Sequence, residues 1–509
     1  MMPRISVSTY GSITDLNSTT VSMNKQQTES PTPSSAPSGL AIVRPSCAHW
    51  FFVCVVVLGD LFFGLEVAVM SEIMDFVAAE FWLTQVDKQT LNGVQIGMCA
   101  VAALSVALTD RRVGRRCMLS VSGLIGLIGV IGTATCRTFP VLVVSRCLVG
   151  FAMGIPLSIA NGYVAELSAR SSRGRTGVLC DGSLIVGLLL GRLYSLVLID
   201  HRHRSTLVWR LFSIPSLIVI VTMLFCTIIW LPESPRFDVM KGRLTAARDT
   251  LMRIYSGPGQ YEMASSDLAG IVAEVQQLRR ENVAAVQYFD RIALVRLLRL
   301  RHGRHLLGLT LCLAFWQDAG GLTVITTYVI QLVQHFGYEP TVVFAVCSWI
   351  QISQLAFIIP WLLTDKYGRF PFLFAAYLLR FVGTTLAALL YFLFDYRTID
   401  QVHIAIPIVV YVLIFASLAI GIGSIPWIIT AEMYPIWARS TGVAVFAVVS
   451  LTISATESQI FLSVADYIGF GGWFTIFSVM SLGSTLFAWF CLPETAVETL
   501  ERAAHVVVE

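Results

Sequence analysis

Leu231–Arg236, which reads LPESPR, lies near the middle of the chain, where a long apolar run ends and a strongly charged segment begins. Six apolar stretches long enough to cross a bilayer precede it, and six more follow the charged segment. A helix needs about 20 apolar residues to span the hydrocarbon core, and it satisfies its own backbone hydrogen bonds there. This arrangement predicts an all-α membrane protein with twelve transmembrane helices in two six-helix bundles.

The two halves repeat short motifs in the same order. The second half ends on LPET at Leu492–Thr495, which resembles the LPES of the first half. Arg173 follows Glu166 by seven positions in the first half, and Arg439 follows Glu432 by seven positions in the second. A third matching pair consists of two charged turns, TDRRVGRR at Thr109–Arg116 and TDKYGR at Thr364–Arg369. Duplicated halves are a recurring plan of secondary transporters.

Composition places the chain in lipid. The 509 residues are 56% hydrophobic and only 13% charged, against roughly 25% charged in a typical soluble protein. The net charge of +3 gives no support for a nucleic-acid partner. The eleven cysteines lack the paired spacing of a zinc site, and no phosphate-binding glycine loop or catalytic cluster is present. We therefore predict a lipid-embedded chain that is not an enzyme and has no catalytic residues, metal or cofactor.

The apolar runs and the charge distribution predict the domain organisation. The short loops on the side of the N-terminus contain ten Lys and Arg residues, and the loops on the opposite side contain six. This bias predicts a cytosolic N-terminus. The predicted segments are a disordered cytosolic tail (1–46), the first bundle (47–231), a cytosolic helical linker (232–305), the second bundle (306–492) and a cytosolic tail (493–509). We expect a monomer in the plasma membrane.

The shared order of several motifs resembles the sugar porter branch of the major facilitator superfamily, from about Gly59 to Leu500. The motifs are PESPR after run six, Tyr163-Val164-Ala165-Glu166 before Arg173-Gly174, Trp209-Arg210, the DKYGR turn, Pro426-Trp427 before Ala431-Glu432 and Arg439, and the terminal PET. The resemblance implies a transporter that works by alternating access.

The resemblance also implies gating residues on the cytosolic side, where Glu and Arg pairs hold the two halves together when the transporter faces outward. Carried over by motif, these are Glu166, Arg173, Glu233, Arg236, Asp365, Arg369, Glu432 and Arg439. The first turn departs from the pattern, because one more residue separates Asp110 from Gly114 than separates Asp365 from Gly368. The partners of Asp110 therefore stay open.

A sugar site is implied in the same way, and this chain departs from it at several positions. Gln317 and Trp427 match the family, and an aromatic face with amide groups suits a sugar. The other positions carry different residues, namely Asp181 in run five, Asp318 and Thr323 in run seven, and Ser454 in run eleven. Carboxylates accept hydrogen bonds from hydroxyl groups, but they also attract cations.

Ionisable residues inside the membrane cost about 2.5–3.5 kcal/mol each and are functional candidates. Proton-coupled members of the family carry an acidic residue in helix one, and Glu66 occupies that place, with Arg146 in run four as its basic partner. Protonation of Glu66 would release Arg146 and couple proton movement to closure of the bundles. The alternative is a permanent ion pair. Glu457 and Arg380 stay open between a functional role and a place near a helix end.

The sequence therefore predicts a transporter for a hexose or polyol that works by proton symport. Two alternatives remain. The first is a divergent porter for an amine or other cationic solute, which the carboxylates at two site positions would favour. The second is a non-transporting sugar sensor, although such receptors usually carry a long cytosolic tail and the segment after Pro493 is short.

Overall fold

The computed structural model describes residues 44–109, 112–168, 173–198, 208–283, 293–356, 368–395, 403–434 and 438–492. Within them the chain is almost entirely helical. The helices of the first half are α1 (Cys47–Phe81), α2 (Gln85–Thr109), α3 (Arg115–Thr135), α4 (Phe139–Leu167), α5 (Arg173–Leu198), α6 (Val208–Leu211) and α7 (Ile214–Ile229).

The segment between the halves forms four helices among its described residues, and they pack around small apolar clusters of their own. They are α8 (Pro235–Met240), α9 (Leu244–Ile254), α10 (Gln260–Val283) and α11 (Ala293–Arg299). Two-residue strands, β1 (Arg44–Pro45) and β2 (Tyr255–Ser256), pair antiparallel, and the Ser46 amide donates to the Ile254 carbonyl at 2.9 Å. The start of α1 is thereby attached to the linker. We call this end of the bundle the linker side, which the sequence predicts to be cytosolic, and the opposite end the far side.

The second half contains more interruptions than the first. Its helices are α12 (Arg301–Asp318), α13 (Leu322–Gln334), α14 (Pro340–Ala356), α15 (Phe370–Asp395), α16 (Ala405–Ser417), α17 (Ile425–Met433) and α18 (Arg439–Cys491). A π-helical turn at Leu418–Ile422 follows α16. Gly469, with φ 69°, interrupts α18 and divides it into two spans.

Ten apolar helical stretches in the described part of the chain are long enough to cross a membrane. The shorter apolar helix Thr341–Gln354 and the division of the last stretch at Gly469 complete twelve crossings. The predicted twelve-helix, all-α fold is therefore confirmed.

Close packing of α1 on α5 brings polar side chains of the two helices to the same level. A Cβ added to Gly64 would lie 2.0 Å from the Leu184 carbonyl oxygen, and one added to Gly187 would lie 2.3 Å from the Leu61 carbonyl oxygen. Small residues permit such backbone approach in membrane helices. The two helices run parallel at this contact, so Glu72 of α1 and Arg192 of α5 lie at similar depth.

Each half has its own apolar core, and the two cores meet along α2 and the first part of α18. Ala447 and Leu451 of α18 pack into the core of the first half. On the far side, the side chains of Gln89 and Ser463 hydrogen-bond across the halves at 2.9 Å, and Gln459 donates to Thr90 at 3.3 Å. The halves are therefore in contact on the far side in this structure.

Candidate functional site

A cavity of about 190 Å³ lies between the two halves, bordered mostly by apolar side chains. Its walls come from α1, α2, α4 and α5 of the first half and from α12, α13, α17, α18 and the π-helical turn of the second. All six predicted substrate-binding residues line it, namely Asp181, Gln317, Asp318, Thr323, Trp427 and Ser454. The side chains of these six residues, which lie up to 273 positions apart in the sequence, therefore meet in one cavity.

Asp318 is the centre of the polar wall contributed by the second half. It ends α12, and its Oδ1 accepts hydrogen bonds from Ser454 at 2.8 Å and from Thr323 at 3.3 Å. Oδ2 accepts a hydrogen bond from Ser450. The carboxylate is buried, with 6% of the residue exposed. Three hydroxyl donors offset the cost of burying it, because a buried charge needs hydrogen-bonding partners.

Arg380 of α15 stabilises the C-terminal end of α12. Its guanidinium donates to the backbone carbonyls of Gln317 at 2.7 Å and Trp316 at 2.8 Å, and to the Ser484 hydroxyl at 2.9 Å. The last carbonyls of a helix lack intrahelical donors, and a cation there is favourable. Arg380, which the sequence left open, therefore positions Gln317 and Asp318. The side-chain oxygen of Gln317 has no hydrogen-bond partner within the part of the chain that the structure describes.

The opposite wall carries a second carboxylate. Asp181 of α5 lines the cavity from the first half, and Ser424, just before α17, lines it from the second half. Trp427 of α17 meets Phe446 edge to face at a centroid distance of 4.9 Å. Trp427 also packs against the apolar cores of both halves.

Glu66 and Arg146 form a buried ion pair beside the cavity. Glu66 Oε2 and Arg146 Nη1 lie 2.8 Å apart, with side-chain exposures of 3% and 0%. Phe63 and Val67, on either side of Glu66 in α1, line the cavity. Arg146 Nε and Nη2 have no hydrogen-bond partner among the described residues. The Glu66 carboxylate therefore holds the guanidinium through Nη1, and the other two guanidinium nitrogen atoms have no partner in the described part of the chain.

Two predicted gating residues of the first half, Glu166 and Glu233, interact with neighbouring residues at the linker side. Glu166 pairs with Arg115 at 3.2 Å and accepts a hydrogen bond from Ser234. Glu233 accepts from the backbone amides of Arg116 at 3.2 Å and Ser234 at 3.0 Å. Burial raises the pKa of Glu233, and these amide hydrogen bonds oppose the rise.

The predicted gating residues of the second half and of the linker also form ion pairs with nearby residues. Arg369 meets Glu432 at 3.1 Å, and Arg236 meets Glu274 of α10 at 2.9 Å. Burial lowers the pKa of Arg439, and the nearby Arg236 lowers it further. Asp365 lies outside the described residues, as does the side chain of Arg173, which begins α5. The ion pairs named here join elements within one half or within the linker.

Sequence reasoning missed several polar residues that line the same cavity as the predicted site. The cavity walls also contain the polar residues Asn161, Thr326, Ser424 and Ser450. Of these, Ser450 donates a hydrogen bond to Asp318. Ser450 precedes Ser454 by four residues on one helix, a spacing that puts both on the same face. That spacing could have identified Ser450. Ser424 follows an irregular turn and carries no comparable pattern.

The family comparison agrees with this architecture. The family model described as "Sugar (and other) transporter" matches residues 52–506. The chain belongs to the sugar transporter family. A sugar transporter of this family is a multi-pass membrane protein and not an enzyme, as the sequence predicted.

Individual relatives of this transporter come from plants and bacteria. "Probable polyol transporter 6" of Arabidopsis thaliana is 27% identical over 463 residues, covering 87% of this chain and 91% of the relative. The "Galactose-proton symporter" of Escherichia coli K12 is 22% identical over 465 residues, covering 90% and 94%.

The solved structures share the fold of this transporter. The xylose transporter XylE from E. coli, in a partially occluded inward-open conformation, matches with a TM-score of 0.72 at 19% identity. The match covers 89% of this chain and 100% of that chain. At this identity the similarity concerns the fold alone.

Proposed function

We propose that the protein moves a hexose or polyol across the membrane by alternating access, in symport with a proton. The observation that supports this most directly is the convergence of the six predicted residues, carried by five helices of both halves, on one cavity. A site between two bundles can be exposed to either side when the bundles rock against each other. The polyol transporter and the sugar-proton symporter among the relatives agree with this proposal.

The chemistry of the cavity suits a polyhydroxylated solute. The indole of Trp427 offers an apolar face against which a sugar ring can pack. The oxygen of Gln317, which lacks a partner among the described residues, is an acceptor for a hydroxyl, and the hydroxyl oxygens around Asp318 are further acceptors. The solute would replace hydrogen bonds to water with hydrogen bonds to these groups.

Proton coupling is proposed to run through Glu66 and Arg146. Protonation of Glu66 would remove the charge that holds Arg146, whose Nε and Nη2 have no partner among the described residues. A buried guanidinium without its carboxylate is costly, so the surrounding helices would rearrange. Because Glu66 lies between two cavity-lining residues of α1, this rearrangement would reach the solute directly.

Glu66→Gln tests the coupling, because glutamine keeps the size of the side chain and removes its titration. We expect the variant to exchange labelled solute across a vesicle membrane but to lose accumulation driven by a proton gradient. The measurement is uptake of labelled hexoses and polyols against external pH. A matched control is Glu80→Gln, since Glu80 also pairs with an arginine, Arg210, at 3.0 Å on the far side. A Glu66→Gln protein that still concentrates solute would exclude Glu66 as the proton carrier.

A cationic solute is a second candidate, favoured by the charge of the cavity. Asp181 and Asp318 line it, whereas none of its described lining residues is Lys, Arg or His. Inhibition of hexose or polyol uptake by organic cations would support this candidate. If the protein takes up an organic cation but no hexose or polyol, the cationic solute replaces the first proposal.

The cellular location and the oligomeric state complete the proposal. We propose that the transporter acts in the plasma membrane as a monomer. Imaging of a tagged protein tests the first statement, and the mass of the purified protein in nanodiscs tests the second.

A further inference from the structure

A second buried ion pair lies on the far side of the cavity, between α1 and α5. Arg192 Nη1 donates to Glu72 Oε1 at 2.6 Å and to the Ser71 hydroxyl at 3.2 Å. The two charged side chains are 1% and 0% exposed. Neither residue lines the cavity or takes part in the proton pathway proposed above. The cost of burying two charges makes this pair a candidate for a function of its own.

The same guanidinium also contacts the other half of the molecule. Arg192 Nη2 donates to the backbone carbonyl of Thr326 in α13 at 3.2 Å. Thr326 lines the cavity. One side chain therefore ties two helices of the first half to the helix of the second half that forms the cavity wall.

The position of this contact closes the cavity toward the far side. Leu188, one turn of α5 closer to the linker side than Arg192, still lines the cavity. Beyond Thr326, α13 stays against α1, since Gln334 donates to Asp75 at 3.3 Å. Opening the far side requires α13 to leave α1, and the bond from Arg192 to Thr326 must then break.

We propose that Arg192, oriented by Glu72, is the latch that holds the far side closed in the state described here. Buried ion pairs contribute little net stability, and their best-attested use is to specify one arrangement over another. The pair to Glu72 lies within one half and can persist through the cycle, whereas the bond to Thr326 forms only when the halves meet. Its free energy therefore stabilises one of the two states and shifts their populations.

This inference rests on the alternating access of the proposed function, but its test needs no solute. Leu188→Cys places a reporter thiol in the cavity, and an impermeant maleimide added to the far side of sealed vesicles labels it only when that side opens. Arg192→Gln should raise the far-side labelling rate by about tenfold, the effect of losing a hydrogen bond from a charged donor. Labelling from the linker side should fall.

Arg210→Gln is the matched control, because Arg210 pairs with Glu80 at the same end but within the first half. We expect the maleimide to label Leu188→Cys at the same rate with and without the Arg210→Gln change. The protein without the Leu188→Cys change gives the background labelling of the eleven native cysteines. Failure of solute uptake would count against the proposed function and leave the labelling result intact.

The proposal is overturned if Arg192→Gln labels like its parent, or if labelling rises equally from both sides, which indicates a loosened fold. If Arg192→Gln does not fold, Arg192→Lys replaces it. Lysine keeps the charge near Glu72 but lacks the planar fork that reaches two acceptors at once. It should also raise far-side labelling, and an unchanged rate in a folded Arg192→Lys protein would reject the latch.

Discussion

At the scale of single residues, Asp318 distinguishes between the candidate solutes. Its carboxylate is surrounded by the hydroxyls of Thr323, Ser450 and Ser454. Asn keeps the shape and one acceptor oxygen, and the hydroxyls can reorient toward it. For a neutral hexose or polyol we expect Asp318→Asn to raise the half-saturation concentration by less than about tenfold, since a neutral hydrogen bond contributes roughly 0.5–1.5 kcal/mol.

Uptake kinetics of the labelled solute measure this effect. Asp318→Ala is the comparison, because it leaves all three hydroxyls without their common acceptor and should reduce uptake much further. Collapse of transport in Asp318→Asn, with the protein still present in the membrane, would show that the negative charge itself is needed and would favour the cationic solute.

At the scale of elements, the break between α12 and α13 depends on Gly321. Its φ of 74° is in the left-handed region, and an added Cβ would lie 2.3 Å from the ring of Phe477. The backbone conformation alone costs a non-glycine residue about 1–2 kcal/mol, and overpacking against Phe477 adds about 1–3 kcal/mol. We expect Gly321→Ala to lower the melting temperature of the purified protein and to reduce uptake.

Gly337→Ala isolates the backbone cost, because Gly337 has φ 77° with nothing within 4 Å of an added Cβ. Thermal unfolding in detergent should therefore show a clearly larger decrease for Gly321→Ala. Equal decreases for the two variants would mean that contact with Phe477 does not constrain the break.

At the scale of the whole molecule, transport requires the far-side contact between the halves to open. Gln89 of α2 and Ser463 of α18 hydrogen-bond across it. We expect a short reducible cross-linker between cysteines at these two positions to abolish transport, because the bundles could no longer rock apart. Uptake before and after addition of a reductant measures the effect, and reduction should restore it.

The matched pair is Thr385 and Ser478, whose hydroxyls lie 2.6 Å apart within the second half. Cross-linking cysteines there joins helices that move together and should leave transport intact. Full transport by the protein cross-linked between Gln89→Cys and Ser463→Cys would argue against separation of the halves on this side.

The sequence alone determined the number of spans, and it contains the repeated motifs of the two halves. These features depend on local properties, since the length and apolar character of a run decide whether it can cross a membrane. The cost of charges in lipid also marked Glu66, Arg146 and Arg380 as candidates. Family motifs pointed to Gln317 and Trp427.

Only the tertiary structure decided which of these groups meet. Arg192 and Glu72 lie 120 positions apart, and Arg380 lies 63 positions from the Gln317 carbonyl that it holds. Neither contact follows a helical spacing in sequence. Each depends on how two helices are rotated and how closely glycines let them approach, so hydrophobic patterns could show that these charges needed partners but not which partners they have.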